Sequence, residues 1–306
     1  MAKLIAIIGP TASGKTQLAT RLAHRIDAEI ISADSRQVYR GMDIGTGKDL
    51  GEYVVAGSQI PVHLVDIVEA GTKYNLFEFQ KDFTKCWADF ESRGKQAILC
   101  GGSGLYVDAV TKGYSLAQVP YDEDFRANFA HWPMPDLVER LLAYGPLHNK
   151  TDIEDHKRLL RAIEIAEYQR KHPLERLEMP QFETVFIGVD IDRNLRRGRI
   201  TDRLKERLRC GLIEEVQGLL DRGISPSDLV YYGLEYKFVT QHLLGELNYN
   251  DMYQSLNSAI HQFAKRQMTW FRKMEKEGTL INWLPFSADV DAVVDAALAI
   301  LSRHNI

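Results

Sequence analysis

Cysteine is scarce in this chain, and the few cysteines stand apart from one another. The 306 residues include three cysteines, Cys86, Cys100 and Cys210, with no C-x-x-C pair. That spacing argues against a zinc module and a disulfide framework, and it favours a reducing compartment, so we expect a cytoplasmic protein. The histidines show no metal-ligand spacing either.

Long apolar runs and a strong charge of one sign are also absent. No run of about eighteen apolar residues occurs, so we expect no membrane-spanning segment, and the first residues lead into an apolar strand without a signal-peptide pattern. The formal net charge of −4 does not indicate a general nucleic-acid binder. Positive charge is nevertheless concentrated at residues 193–209, with eight Lys and Arg against two acidic residues. A local basic surface of this kind is compatible with selective docking of RNA.

The sequence does contain, near its start, a phosphate-binding loop. Residues 9–16 read GPTASGKT and lie between an apolar run and a helical pattern, the context that such a loop requires. Backbone N–H groups and the helix N-terminus would hold an anion, Lys15 would reach the terminal phosphate, and the Thr16 hydroxyl would ligate Mg²⁺. The motif predicts a bound di- or triphosphate without specifying ATP. We assign diphosphate binding to Gly9, Pro10, Thr11, Ala12, Ser13, Gly14, Lys15 and Thr16.

Apolar, strand-like segments alternate with helical patterns over much of the chain. The predicted strands are 4–8, 29–33, 63–68, 96–100 and 185–191. This alternation predicts an α/β fold with a doubly wound parallel sheet of the P-loop NTPase type, which binds ligands at the carboxyl ends of its strands. Asp34, Asp66 and the GGSG run at 101–104 follow such ends.

The alternation stops between about residues 114 and 180. This stretch is rich in proline, contains one helical pattern at 154–169 and has no convincing strand. We predict a helical insertion domain at 114–180 in a P-loop core made of 1–113 and 181–306. After residue 191 the chain is expected to be helical to its end. The predicted helices there are 194–220, 234–244 and 251–274.

Polar residues after the second predicted strand are candidates for chemistry. Asp34 could act as a general base or bind Mg²⁺ through water; alternatively it caps a helix, a common role of Asp. The residues that follow, Ser35, Arg36, Gln37 and Tyr39, carry groups suited to reading a base edge. In the GGSG run, the Ser103 hydroxyl could meet a phosphate or a ribose.

Two basic segments add further candidates. Arg199 and Arg203 share a helix face that could stabilise a pyrophosphate leaving group or could simply be a solvated surface. In the segment QFAKRQMTWFR at 262–272, Phe263, Trp270 and Phe271 are expected to pack on the core, and the basic edge could reach RNA phosphates.

The segments GPTASGKT, ISADSRQVYRGMDIGTGK, GGSGLY, RITDRLKERLRCGLIEEV and AKRQMTWFRK, in that order, resemble the bacterial tRNA dimethylallyltransferase family. The resemblance covers nearly the whole chain and is weakest at 115–180. It implies that the loop holds dimethylallyl diphosphate rather than ATP. The implied acceptor is the N6 amine of the adenosine at position 37 of tRNA, immediately 3′ of the anticodon. It implies Mg²⁺ as cofactor and the anticodon stem-loop as partner; we also expect a monomer.

The resemblance also implies roles for individual residues. The predicted catalytic residues are Asp34 as general base, Thr11 at the prenyl-transfer channel, and Arg199 and Arg203 on the pyrophosphate, with Thr16 as metal ligand. The predicted tRNA-binding residues, some of them in the insertion domain, are Asp34, Ser35, Arg36, Gln37, Ser103, Lys157, Arg158, Arg161, Lys265 and Arg266.

This chain departs from the family pattern at three places that bear on the site. Ser103 stands where the family usually has Thr, His261 where Arg is frequent, and YYGLEYKF at 231–238 replaces the commoner V-G-Y-K-E form. Three alternatives remain open. They are an ATP-dependent small-molecule kinase, an adenylate prenyltransferase that modifies free AMP or ATP, and an RNA-binding protein that keeps the loop without catalysis.

Overall fold

The chain is organised around a parallel sheet. The computed structural model describes residues 2–116, 118–147, 153–172 and 177–306. Its strands are β1 (Lys3–Ile8), β2 (Glu29–Ser32), β3 (Val54–Val55), β4 (Ser58–Gln59), β5 (Val62–His63), β6 (Ala97–Gly101), β7 (Glu183–Asp190) and β8 (Ile281–Pro285). Over these residues, six strands pair in parallel in the order β5-β2-β6-β1-β7-β8, and β3 and β4 form an antiparallel hairpin.

Helices follow most of the strands. They are α1 (Lys15–Arg25), α2 (Leu76–Arg93), α3 (Gly104–Thr111), α4 (Glu123–Phe129), α5 (Met134–Leu142), α6 (His156–Lys171), α7 (Arg193–Arg209), α8 (Leu212–Asp221), α9 (Pro226–Tyr231), α10 (Leu234–Leu243), α11 (Tyr249–Lys276) and α12 (Val290–Arg303). A short 3₁₀ helix spans Leu50–Tyr53. None of the helices in the described ranges is long and apolar enough to cross a membrane.

Both faces of the sheet are buried, which is why its strands read as continuous apolar runs. Along β1, Leu4, Ala6 and Ile8 point into one apolar cluster, whereas Ile5 and Ile7 point into another. Side chains of α1 and α12 fill the second cluster, and those of α2, α3 and most of the C-terminal helices fill the first. The prediction of a doubly wound α/β fold is therefore confirmed.

The chain divides into two compact units. One comprises Met1–Tyr114 with Met179–Ile306, and the other is Ser115–Glu178. The second unit has its own small apolar cluster, centred on Leu137 of α5 and Ile163 of α6. Beside it, the buried carboxylate of Glu164 accepts hydrogen bonds from Arg126 and Arg161 at 2.8 and 2.7 Å. Such an ion pair needs these several donors because burial removes the carboxylate from water.

Three predictions about elements were wrong. The strand expected at 63–68 is restricted to Val62–His63, because Leu64 and Asp66 have φ angles of 61° and 55°, which break a strand. The helix expected at 194–220 is interrupted at Gly211, whose φ of 105° starts α8 in a new direction. The chain after residue 191 is not wholly helical, because β8 adds an edge strand parallel to β7.

Candidate functional site

The phosphate loop connects β1 to α1 at the carboxyl edge of the sheet. Gly14 caps the N-terminus of α1 with a φ of 84°, and Ala12 also has a positive φ, 63°. These left-handed residues curl the loop so that backbone N–H groups and the positive helix end face the same space. The loop is thus shaped as an anion site.

Two cavities open on this loop and share part of their walls. The phosphate cavity, of about 320 Å³, is lined by Ala12, Gly14, Lys15, Thr16, Asp49, Glu52, Arg199, Asp202 and Arg203. The central cleft, of about 310 Å³, lies between the phosphate loop, the residues after β2, the GGSG turn and α11. Lys15, Thr16 and Arg203 line both, so a molecule bound by the loop has access to the central cleft.

Lys15 is the first residue of α1 and is half-buried. Burial lowers the pKa of its ammonium group, while the neighbouring Cys100 and Asp34 raise it. A cation that has lost part of its hydration interacts strongly with a phosphate that reaches it.

Asp34 leaves the end of β2 and lines the central cleft. Its Oδ1 accepts a hydrogen bond from the backbone N–H of Arg36 at 2.9 Å, and no helix begins at Asp34, so the capping role does not apply. The backbone N–H of Ser35 donates to Ser103 Oγ at 3.5 Å. This hydrogen bond links the segment after β2 to the GGSG turn, whose Ser103 precedes α3.

Gln37 also lines the cleft, but its amide is committed to the protein. Its Nε2 donates to the carbonyl of Gly47 at 3.1 Å, and its Oε1 accepts from Ser32 Oγ at 3.0 Å. Gln37 thus clamps the GMDIGTGK loop to β2. Buried Lys48 supports the same loop through Asp43 and Asp66, and Asp66, which was expected near the site, does not line either cavity.

The arginines of α7 share one helix face, as predicted, yet each contacts a different part of the site. Arg199 Nε donates to the carbonyl of Ala12 in the phosphate loop at 2.9 Å. Arg203 pairs with Asp49. Arg207 Nη1 lies 3.3 Å from Glu235 Oε1. Burial of this ion pair raises the pKa of the Glu235 carboxyl and lowers the pKa of the Arg207 guanidinium. Arg199 and Arg203 are the two that reach the phosphate cavity.

Helix α11 supplies a residue that sequence reasoning missed. Gln267 accepts from the backbone N–H of Thr11 at 2.8 Å and donates to the carbonyl of Gly102 at 2.9 Å. The signal was present, since Gln267 is a polar residue on the same face as buried Ile260, Ala264 and Phe271. The expectation that Phe263 packs on the core was wrong: it is 38% exposed and lines the cleft.

The divergent segment YYGLEYKF also forms part of the cleft. Arg36 stacks on the ring of Tyr231 at 4.8 Å, and Tyr232, Gly233 and Glu235 line the cavity. His261, another divergent position, has its Nε2 3.3 Å from Thr201 Oγ1 and lies outside the cleft lining. The YYGLEYKF departure therefore alters the wall of the site itself.

The remaining basic candidates lie in different surroundings. Lys157 and Arg158 are exposed on α6, and Lys265 is exposed on α11, whereas Arg266 lines the central cleft. The guanidinium of Arg161 donates to the carbonyls of Val119 and Pro120 at 2.8 and 3.1 Å, besides its bond to Glu164. Arg161 therefore has a structural role within its unit.

The phosphate cavity fits a magnesium ion bound together with a diphosphate. Mg²⁺ keeps several waters and takes few protein ligands when it is bound with phosphates, and the described residues hold no cluster of three or more His, Cys, Asp or Glu suited to a metal. The cavity's cations, Lys15, Arg199 and Arg203, are matched in number by the acidic Asp49, Glu52 and Asp202. A diphosphate would add uncompensated negative charge, which a divalent cation beside the Thr16 hydroxyl would neutralise.

Known sequences match this chain along its whole length. The IPP transferase family model matches residues 37–274, and an isopentenyl transferase model matches 2–67. A tRNA dimethylallyltransferase 2 of Porphyromonas gingivalis is 54% identical over 302 residues, 99% of this chain and 100% of that protein. A tRNA dimethylallyltransferase 1 of Geotalea daltonii is 51% identical, over 99% of this chain and 96% of that protein.

Solved structures share the same architecture. The full-length tRNA isopentenylpyrophosphate transferase of Bacillus halodurans superposes with a TM-score of 0.71 at 31% identity, covering 99% of this chain and 98% of its own. A eukaryotic dimethylallyltransferase acting on tRNA gives a TM-score of 0.77 at 21% identity, covering 99% and 80%, a likeness of fold. With motifs, fold and full-length relatives in agreement, the chain belongs to the IPP transferase family.

Proposed function

We propose that this chain transfers a dimethylallyl group from dimethylallyl diphosphate to N6 of the adenosine at position 37 of tRNA, releasing diphosphate. The observation that carries the proposal is the central cleft, in which Lys15 and Thr16 of the phosphate loop share one cavity with Asp34. A carboxylate beside an anion site suits group transfer to a nucleophile that must lose a proton.

Charge development on the donor is the main barrier that this site would lower. An adenine amine is a poor nucleophile because its lone pair is delocalised into the ring, so the allylic C–O bond must break substantially as the C–N bond forms. The electron pair of that C–O bond passes to the diphosphate. Lys15, the loop N–H groups and Arg203 are preorganised to stabilise it there.

Mg²⁺ would be held by the Thr16 hydroxyl and by diphosphate oxygens, and when bound it would supply further neutralisation of the leaving group. Arg199 contributes indirectly, because its bond to the Ala12 carbonyl fixes the curl of the phosphate loop. Together these contacts support binding of a diphosphate whose prenyl tail extends into the central cleft.

Asp34 would take the proton that N6 loses. Its position is fixed by the 2.9 Å hydrogen bond from Arg36 N–H, and a positioned general base contributes about 10²–10⁴ in rate. We assign the four predicted catalytic positions accordingly: Asp34 as base, Arg203 on the diphosphate, Thr11 in the phosphate loop, and Arg199 of α7 on the Ala12 carbonyl of that loop.

The acceptor base must leave its stack to enter the cleft. Extrusion of a base costs a few kcal/mol, least in a single-stranded loop such as an anticodon loop. The cleft offers Arg36, Ser103 and Arg266 around its lining, and Phe263 is an exposed aromatic ring in that lining suited to stacking. Lys157, Arg158 and Lys265 are exposed and would contact tRNA phosphates, with the insertion unit as part of the tRNA interface. The monomeric state and the cytoplasmic location stay predictions.

Label transfer tests the proposal directly. Purified protein would be incubated with radiolabelled dimethylallyl diphosphate, Mg²⁺ and unmodified tRNA transcripts, with AMP and ATP as acceptors in parallel. We expect label in tRNA alone, lost when position 37 is changed from adenosine. Label in AMP or ATP would indicate the adenylate prenyltransferase, and consumption of ATP with no label in any acceptor would indicate a kinase.

A further inference from the structure

A buried amide on α11 links the two glycine turns of the site. Gln267 is 7% exposed; it accepts from Thr11 N–H at 2.8 Å and donates to the Gly102 carbonyl at 2.9 Å. Thr11 belongs to the phosphate loop and Gly102 to the GGSG turn. These loops follow β1 and β6, which are neighbours in the sheet. One side chain thus spans the two loops that meet in the central cleft.

The link requires a group that donates on one side and accepts on the other. Thr11 presents an N–H and Gly102 presents a carbonyl, so a neutral amide satisfies both. A methionine of similar length satisfies neither. An ionised carboxylate would accept from Thr11 but repel the Gly102 carbonyl, whereas a protonated carboxyl reproduces the pattern of the amide.

The helix α11, which carries Gln267, is packed against other elements, and this packing fixes the backbone position from which the Gln267 amide extends. Trp270 Nε1 donates to Asp108 Oδ2 at 3.1 Å, which ties α11 to α3. Phe271 and Met274, on the following turn, are fully buried. Gly102 permits the close approach, since a Cβ there would lie 2.5 Å from Gln267 Nε2. Movement of the loops relative to one another is therefore limited by the Gln267 bonds.

We infer that Gln267 is a positioning residue for the transfer reaction, an inference that rests on the function proposed above. It sets the separation between the phosphate loop, which would hold the donor, and the GGSG turn, whose Ser103 would face the acceptor. Thr11, Ser103 and Gln267 all line the central cleft. Because a misplacement of about 1 Å can reduce a rate about 10²-fold, Gln267 acts on turnover more than on the affinity of either substrate.

Three variants test this role: Q267M, Q267E and the control Q262E, which alters an exposed glutamine on the same helix. For each, kcat, the KM values for dimethylallyl diphosphate and tRNA, and the melting temperature would be measured from about pH 5 to pH 8. We expect Q267M to lower kcat about 10–100-fold, with both KM values within about threefold of wild type. We expect the activity of Q267E relative to wild type to rise as the pH falls, because protonation restores the donor to Gly102.

The ratio to wild type removes every effect of pH that the two proteins share, and the Q262E ratio should stay constant with pH. A folded Q267M with wild-type kcat would overturn the inference, as would a Q267E ratio that does not change with pH. If Q267M does not fold, the pH dependence of the Q267E activity ratio tests the inference on its own. Wild-type protein that transfers no label to tRNA would instead overturn the proposed function.

Discussion

Asp34 is placed by a local turn and needs no distant partner to hold its carboxylate. The bond from Arg36 N–H uses Oδ1, and an asparagine can accept the same bond through its side-chain oxygen. The D34N variant should therefore keep the cleft intact while removing the base. This separation of shape from proton transfer makes Asp34 a suitable residue for testing the mechanism.

We expect D34N to reduce kcat about 10²–10⁴-fold, because a general base of this kind contributes that much. Binding of dimethylallyl diphosphate, measured by calorimetry, should be unchanged, since Lys15 and the loop remain. The matched control is D124N, at an exposed aspartate of α4. A D34N enzyme with turnover within about twofold of wild type would remove Asp34 as the base.

Single residues were predictable from the sequence where their role is local. The phosphate loop and Asp34 lie within a short stretch, so their residue types and spacing carry the information. Gln267 and Glu52 reach the site from elements far away in the chain, and only the fold brings them to Thr11 and Thr16. The prediction for Phe263 was wrong because the spacing of apolar residues along a helix does not show whether those residues face the core or a cleft.

At the scale of elements, the edge of the sheet at β5 is stabilised by polar contacts of the carboxylate of Glu29. Glu29, at the start of β2, accepts from Arg93 at the end of α2 at 2.6 Å and contacts His63 of β5 at 2.7 Å. The hydrogen bond from Arg93 lowers the pKa of Glu29 to about 2, against the opposing effect of burial. The two-residue strand β5 thus gains support beyond its backbone pairing.

A carboxyl whose pKa is depressed in the folded state stabilises that state above its unfolded pKa and loses the effect as the pH falls. For Glu29 this window runs from 4.5 down to about 2. We expect E29Q to reduce the free energy of unfolding by about 1–2 kcal/mol at neutral pH, a value that allows for screening of the half-exposed Arg93. Urea denaturation should show the difference from wild type shrinking across that window. E91Q, at an exposed position of α2, should show no such trend.

The strand β8 escaped prediction for a physical reason. INWLP is short, it ends in a proline that only an edge strand tolerates, and its alternation is weak. Its place is specified instead by packing, because Gly188 of β7 lies opposite Trp283 of β8 and leaves room for the indole ring. By contrast, β1, β2, β6 and β7 are buried apolar strands, and their apolar runs predicted them from the sequence.

The G188A variant tests this packing, because a Cβ at Gly188 would overlap the Trp283 ring. We expect a loss of about 1–3 kcal/mol in the free energy of unfolding, typical of overpacking. G218A, in α8, where nothing lies near the added methyl group, should instead gain about 0.5–1 kcal/mol from the better helix propensity of alanine. A G188A protein as stable as wild type would mean that the ring is free to move and does not fix β8.

At the scale of the whole molecule, a net charge of −4 must be reconciled with a polyanionic partner. Binding of RNA then depends on separate basic patches rather than on the overall field. Several basic side chains are unsuited to that task because they serve the protein, notably Arg161 and Arg207. Exposed Lys157 and Arg158, in the unit Ser115–Glu178, are better placed to contact phosphate.

We expect K157A/R158A to weaken tRNA binding and to flatten its salt dependence, while the affinity for dimethylallyl diphosphate stays at the wild-type value. Each lost phosphate contact should reduce the slope of log K against log salt by about 0.7–0.9, because fewer counterions are released. The measurement is tRNA affinity by filter binding over a range of salt concentrations. R170A, an exposed position near the end of the same helix, serves as the control for loss of charge alone. An unchanged slope in K157A/R158A would exclude this end of α6 from the tRNA interface and leave α7 and α11 as the basic surfaces that meet the RNA.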